Sequence, residues 1–292
     1  IQPVVQGMEL ALELDRNTWY DLYQRNPIEK FAEQYWKENG IDGWEEYKTI
    51  PDRLYIGNAF CHLLFPKEEQ LFALMEKAIV ENVEITLVFP CMREFQVEER
   101  GKLLKKVDNW CEKRQTRVEI LVNDWGMTAL VKESGKHLEP CLGVLLNKQK
   151  KDPRMRYKKG STRGLGESNL QADFYRTFLK DTYGITRYEW ESCGYPQVFP
   201  QGKNSLHLPY YQTNTSQYCP LYASCTEGER GKQRLPEHCP GYCEQYAYLY
   251  PEHLHMAGRY NSLFGLDAEL VKHPEQLKVY QQAGIDRLVI GL

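Results

Sequence analysis

Short apolar stretches alternate with amphipathic ones along most of this chain, and that alternation is the strongest constraint on its fold. Apolar runs at 53–59, 84–90, 118–122, 141–146, 187–191, 205–211, 256–260 and 286–290 read as strands. Helical spacing fills 28–39, 67–81, 98–114, 127–133, 169–183 and 273–283 between them; Leu103, Leu104, Val107 and Cys111 show the period most clearly. Strands joined through helices pair in parallel by right-handed crossovers. A further strand over 3–14 is weakly marked. Without it the count is eight, the number that closes a barrel, and 292 residues suit one. The expected fold is therefore α/β, a TIM-like (β/α)8 barrel, regular or irregular. It occupies 1–292 as one domain, with a cysteine-rich insertion at about 212–250 on its C-terminal face.

That insertion carries Cys219, Cys225, Cys239 and Cys243, spaced C-x5-C-x13-C-x3-C. A helix starting at Pro240 puts Cys239 and Cys243 on one face, near the positive end of the helix dipole. That position favours thiolates, the metal-binding form. Nine cysteines in all is an odd number, which speaks against a disulfide framework. Cys91, Cys111 and Cys141 fall in apolar or helical patterns and read as core residues. Cys61 and Cys193 stay in the pool of ligands. All-cysteine sets hold both iron–sulfur clusters and structural zinc, so spacing alone leaves the metal open.

A net charge of −3 gives no global pull toward nucleic acid or anionic membrane. No apolar run approaches the length of a membrane span. Residues 1–15 lack the basic start and apolar core of a signal peptide, so the expected location is cytoplasmic. The start at Ile1 is expected to reflect trimming. The segment 147–166 is basic and glycine-bearing, with Lys148, Lys150, Lys151, Arg154, Arg156, Lys158, Lys159 and Arg163. It reads as a solvated loop, or as a flap over an anionic small molecule or RNA at 148–163. Asp124 comes after an apolar strand, as a site acid or as the N-cap of the next helix. Arg259 ends a strand where it can touch substrate. Glu189 and Glu191 alternate on one strand face, as candidate site carboxylates or as residues salt-bridged to cations elsewhere. His238, His253 and His255 lie near the cysteines. No HExxH or Gly-x-Ser-x-Gly occurs, which ranks a peptidase last.

Three segments then carry a resemblance. They are Leu54-Tyr55-Ile56-Gly57 with Cys61 just beyond, Val122-Asn123-Asp124-Trp125-Gly126, and Ala283-Gly284-Ile285-Asp286-Arg287-Leu288, with the cysteine stretch between the second and third. Together they resemble the collagenase-like peptidase U32 family, from about residue 52 to the end. The resemblance implies a TIM-like barrel with an oxygen-sensitive 4Fe-4S cluster. It also implies a role in oxygen-independent hydroxylation, of a ubiquinone precursor or an RNA base, and a paralogous partner chain in a heterodimer, or a homodimer. The ligands it implies are Cys61, Cys225, Cys239 and Cys243, with Cys219 as alternate. Zinc, in a non-catalytic metal-stapled partner subunit or RNA-binding module, is the competing expectation. The chain departs from the family at Cys193, where the family strand has Glu, and in its longer basic loop.

Overall fold

A computed structural model describes residues 6–39, 50–153, 164–232 and 234–291. Eleven strands occur among them. They are β1 (Glu9–Leu14), β2 (Arg53–Gly57), β3 (Glu84–Val88), β4 (Val118–Val122), β5 (Leu138–Leu142), β6 (Arg187–Glu191), β7 (Lys203–Thr215), β8 (Tyr248–Leu249), β9 (Met256–Arg259), β10 (Ser262–Leu266) and β11 (Arg287–Gly291). The helices are α1 (Asn17–Arg25), α2 (Ile28–Asn39), α3 (Glu68–Val80), α4 (Val97–Arg114), α5 (Trp125–Ser134), α6 (Asp173–Tyr183), α7 (Pro220–Glu227), α8 (Ala268–Lys272) and α9 (Leu277–Gln282).

Strands β1 to β7 pair in parallel in chain order, and β11 closes the ring between β7 and β1. The result is a closed eight-stranded parallel barrel with helices between strands, as the alternation demands. Its membership differs from the sequence expectation in two places. The weakly marked opening segment is a full barrel strand, with Leu12 opposite both Leu54 and Ile290. The 256–260 segment is not a barrel strand; it forms β9, which pairs antiparallel with β10. The expected 141–146 strand sits earlier, as β5.

Alternation along each strand sorts the side chains. Leu10, Leu12 and Leu14 face outward, into a core shared with Trp19, Tyr20, Phe31 and Tyr35 of α1 and α2. Tyr35 ties this layer to the wall by donating to the backbone oxygens of Glu13 (3.1 Å) and Ile290 (3.0 Å). The inward set has a small apolar part, Ala11, Tyr55, Val88, Leu121, Cys141 and Val289. The rest of the interior is ionic. At the strand starts, Arg287 grips Glu119 with two bonds of 2.6 and 3.0 Å and reaches Glu9 at 2.6 Å. Arg53 and Arg187 stand 3.5 and 3.6 Å from the same Glu119, and Asp286 holds Arg187 from outside at 2.9 Å.

β7 is the longest strand. Its first half belongs to the barrel; from Tyr210 onward it pairs antiparallel with β10 instead. β10, β9 and β8 extend that second sheet beyond the barrel's C-terminal end. The excursion between β7 and β10 is bound back to the barrel loops. Asn261 Nδ2 donates to Phe60 O (3.0 Å), Asn17 Nδ2 to Glu244 (3.4 Å), and Arg93 to Gln217 O (2.9 Å). Among the described residues no helix is long and apolar enough to cross a membrane.

Burial opposes ionisation of Glu119, but bonds and attraction from Arg287, Arg53 and Arg187 prevail and hold its carboxyl at about 2 instead of the ordinary 4.5. A depressed native value stabilises the fold above the unfolded value and is lost as pH falls through the native one. Urea melts should therefore show stability draining between pH 4.5 and pH 2, and Glu119→Gln should flatten that slope. Arg287→Met should cost about 3–5 kcal/mol at neutral pH, because it strands buried carboxylates.

Candidate functional site at the barrel mouth

The loops at the C-terminal ends of the strands shape the mouth. After β2, Asn58 is buried and its Oδ1 accepts from the backbone amides of Phe60 and Cys61, both at 2.8 Å, while its Nδ2 donates to Asp15 O at 3.1 Å. That turn sets Cys61 at the start of the 3-10 turn His62–Leu64. In the excursion, Cys219 is the N-cap of α7 with Pro220 at the first helical position. Its Sγ accepts from Tyr222 N (3.4 Å) and donates to Tyr260 O (3.2 Å). Cys239 Sγ accepts from Gly241 N (3.4 Å). Gly241 is left-handed at φ 84°, so no helix starts at Pro240; only the 3-10 turn Tyr242–Glu244 comes after it. The expected helix start thus belongs to the other Cys-Pro pair, Cys219-Pro220.

Cys243 is buried with Leu64, Leu221 and Tyr260, and Cys61 and Cys219 pack on that same small cluster. The thiols feel one another. Burial pushes Cys61 up to about 11, the amides of Leu63 and Leu64 oppose it, and Cys219 and Cys239 add to it. Burial pushes Cys243 up to about 12, with Cys61, Cys219 and Cys239 all contributing and Arg259 opposing. Burial also raises Cys219 against the amides of Tyr222 and Leu221, with Cys239 and then Cys225 adding. Segments that are far apart in sequence therefore pack Cys61, Cys219 and Cys243 on one cluster, with Cys239 near enough to act on all three. Cys225 is exposed on α7. Among the described residues, no three His, Cys, Asp or Glu side chains already stand close enough to hold a metal ion. The donor chemistry fits a thiolate-bound centre, and the sulfurs must draw together to form one.

Other sequence candidates lie elsewhere. Cys193 is buried against Gln149 and Gln197, away from this group. Cys111 and Cys141 are buried as expected, but Cys91 is exposed, since β3 has already ended at Val88. Asp124 caps α5: its Oδ1 accepts from Met127 N (2.8 Å) and its Oδ2 from Met92 N (2.7 Å). Both oxygens are thus used in holding loops. His238 and His253 are exposed, and His255 sits at φ 48° before β9. Of the basic segment, Arg154, Arg156, Lys158, Lys159 and Arg163 lie outside the described residues. Lys151 is neither solvated nor free for an anion: it is buried in an ion pair with Glu191.

Below the excursion, a cavity of about 350 Å³ opens at the strand ends. Arg259 lines it, donates from Nε to Cys243 O at 3.3 Å and lies over the Tyr260 ring. Tyr260 in turn donates to Asp15. The floor holds a bridge that the sequence did not reveal. His207 Nδ1 is 2.9 Å from Glu13 and Nε2 is 2.7 Å from Glu189, which is fully buried and also accepts from Tyr55 OH at 3.2 Å. Arg287 donates to that same hydroxyl at 2.9 Å, so a polar path runs from the ionic layer to the cavity. The one available signal was parity: Glu13, Glu189 and His207 share the inward-facing alternation with Glu9, Arg187 and Ser205.

No family model and no curated protein matches the chain. Among solved structures it is similar to the spore cortex-lytic enzyme SleL of Bacillus megaterium QM B1551, at 9% identity and a TM-score of 0.29, over 97% of this chain and 70% of that one. A likeness that slight has no bearing on function.

Burial alone would lower the His207 pKa, but hydrogen bonds and attraction from Glu13 and Glu189 overcome it and lift the value from 6.5 to about 10. A raised native value stabilises the fold fully below the unfolded value, and the gain is lost as pH rises through the native one. Ring-nitrogen resonances should therefore show His207 protonated at pH 8. Stability should fall between pH 6.5 and pH 10, and His207→Gln should remove that dependence.

Proposed function

We propose that this chain is an iron–sulfur barrel protein whose cluster is held by Cys61, Cys219, Cys239 and Cys243, beside a substrate cavity at the barrel mouth. Its reaction class is oxygen-independent hydroxylation or a related redox step. The observation that carries this reading is the gathering of three thiols, Cys61, Cys219 and Cys243, from separate segments on the Leu64–Leu221–Tyr260 cluster, with Cys239 near enough to act on each of them, next to a cavity that Cys243 itself lines. The resemblance to the U32 family supplies the choice of a 4Fe-4S cluster. Cys219 takes the place given to Cys225 because its sulfur faces the group, while Cys225 is exposed.

When bound, an all-cysteine cluster supplies electron transfer, since such ligation leaves no iron position open. The chain's residues do the rest. Backbone amides at Leu63, Leu64, Leu221 and Tyr222 point at sulfur and stabilise its negative charge. The Arg259 guanidinium favours the Cys243 thiolate. Phe60, Tyr260 and Phe264 pack edge-on or stacked beside the site and give it an apolar wall. A peptidase is disfavoured by His207, which lies between two carboxylates and is not paired with a serine or cysteine.

Protein purified without oxygen and reconstituted with iron and sulfide should be brown, with broad visible absorption. Serine replacements at Cys61, Cys219, Cys239 and Cys243 should each remove most of the iron and sulfide, whereas Cys225→Ser should keep both. Loading should raise the melting temperature, because the ligands come together only in the folded chain. A colourless protein with stoichiometric zinc would replace this reading with a structural staple.

A further inference from the structure

The cavity floor and walls have a charge balance of their own. Glu191 is paired with Lys151, while Glu13 and Glu189 share one partner, His207. Asp15 is held by Tyr260 and Arg16, and it also acts on Arg259. The Glu13–Glu189 pair is thus one positive charge short, and Glu244 has no cation in bonding reach among the described residues. Glu244 accepts only from the neutral groups Asn17 and Thr18 among the bonds described. Glu13 gives one oxygen, Oε1, to His207, whose charge Glu189 already shares.

The other oxygen of Glu13 lies against a glycine. A Cβ on Gly291, at the end of β11, would lie 1.9 Å from Glu13 Oε2. A larger residue there would push the carboxylate aside, and both residues line the cavity. Gly57, at the end of β2, opens the same rim: its φ is 121° and a Cβ would meet Val88 O at 2.2 Å. Around this carboxylate the walls are aromatic and apolar, with Phe60, Leu121, Val144, Tyr260 and Phe264. A carboxylate oxygen with no bond of its own among those described, at the floor of an aromatic cavity, matches a cation carried on an apolar body.

We infer that the cavity binds a small molecule bearing a protonated amine on an apolar or aromatic frame, with Glu13 as the ammonium's partner. This reverses the anionic ligand that the basic segment suggested. Glu13 and His207 are not among the proposed cluster ligands, so the inference stands whether or not the thiols bind metal.

The test uses the full chain and three matched probes, 2-phenylethylamine, 2-phenylethanol and 3-phenylpropionate, titrated by calorimetry at pH 7.5. The amine is expected to bind the most tightly. Glu13→Gln should weaken the amine about tenfold or more and leave the alcohol unchanged. Saturation with the amine should also move the His207 ring-nitrogen resonances in the unaltered protein, a reading that survives if the variant folds poorly. Tighter binding of the propionate, an amine affinity indifferent to Glu13→Gln in a folded variant, no binding of the amine, or unmoved His207 resonances would each overturn the inference.

Discussion

Glu119 is the residue on which this barrel closes. Its carboxylate lies within 3.6 Å of guanidinium groups from three other strands, β2, β6 and β11. Most barrels of this class fill the interior with branched apolar residues. Here one end of the interior is a charge lattice, with Glu9 and Asp286 completing the balance. Buried ions lose hydration, so such a lattice does not by itself imply great stability. It does specify geometry, because a guanidinium displaced by one strand position leaves the lattice altogether. We take the lattice as the device that fixes which strand stands beside which.

The mouth inherits that order. Glu189 is two residues beyond Arg187 on β6, and Tyr55 two beyond Arg53 on β2. Both therefore face inward one layer nearer the mouth, where His207 joins them. The next layer contains Glu13 and Glu191, and glycines at 57 and 291 end two strands to make space. Position along the barrel axis thus changes function by layer: lattice, then bridge, then cavity. The grouped cysteines sit above all three, Cys61 on the loop after β2 and Cys219, Cys239 and Cys243 on chain that leaves the barrel after β7.

Much of this was legible in the sequence where local pattern decides the outcome. The strands Val118–Val122 and Arg187–Glu191 and the helix Ile28–Asn39 fall where their spacing puts them. Failures occurred where a distant partner decides. β1 looked weak because Glu9 and Glu13 interrupt its apolar run, yet those are its interior residues. The Met256 segment had strand-like residues, and nothing local showed that its neighbour is an antiparallel strand. The helix start was expected at Cys239-Pro240 and falls at Cys219-Pro220, and the residues after each account for it: Leu-Tyr-Ala-Ser come after Pro220, whereas a left-handed Gly241 comes after Pro240. The His207 bridge was invisible because Glu13 lies 194 positions away in the chain.

β7 has one further consequence. A single unbroken strand is both a stave of the barrel and the first strand of the sheet above it. A shift by one residue would turn His207 out of the lumen and misalign β10 in the same movement. The two sheets therefore cannot be assembled independently. The registry of the lower one and that of the upper one are a single choice, made once along β7.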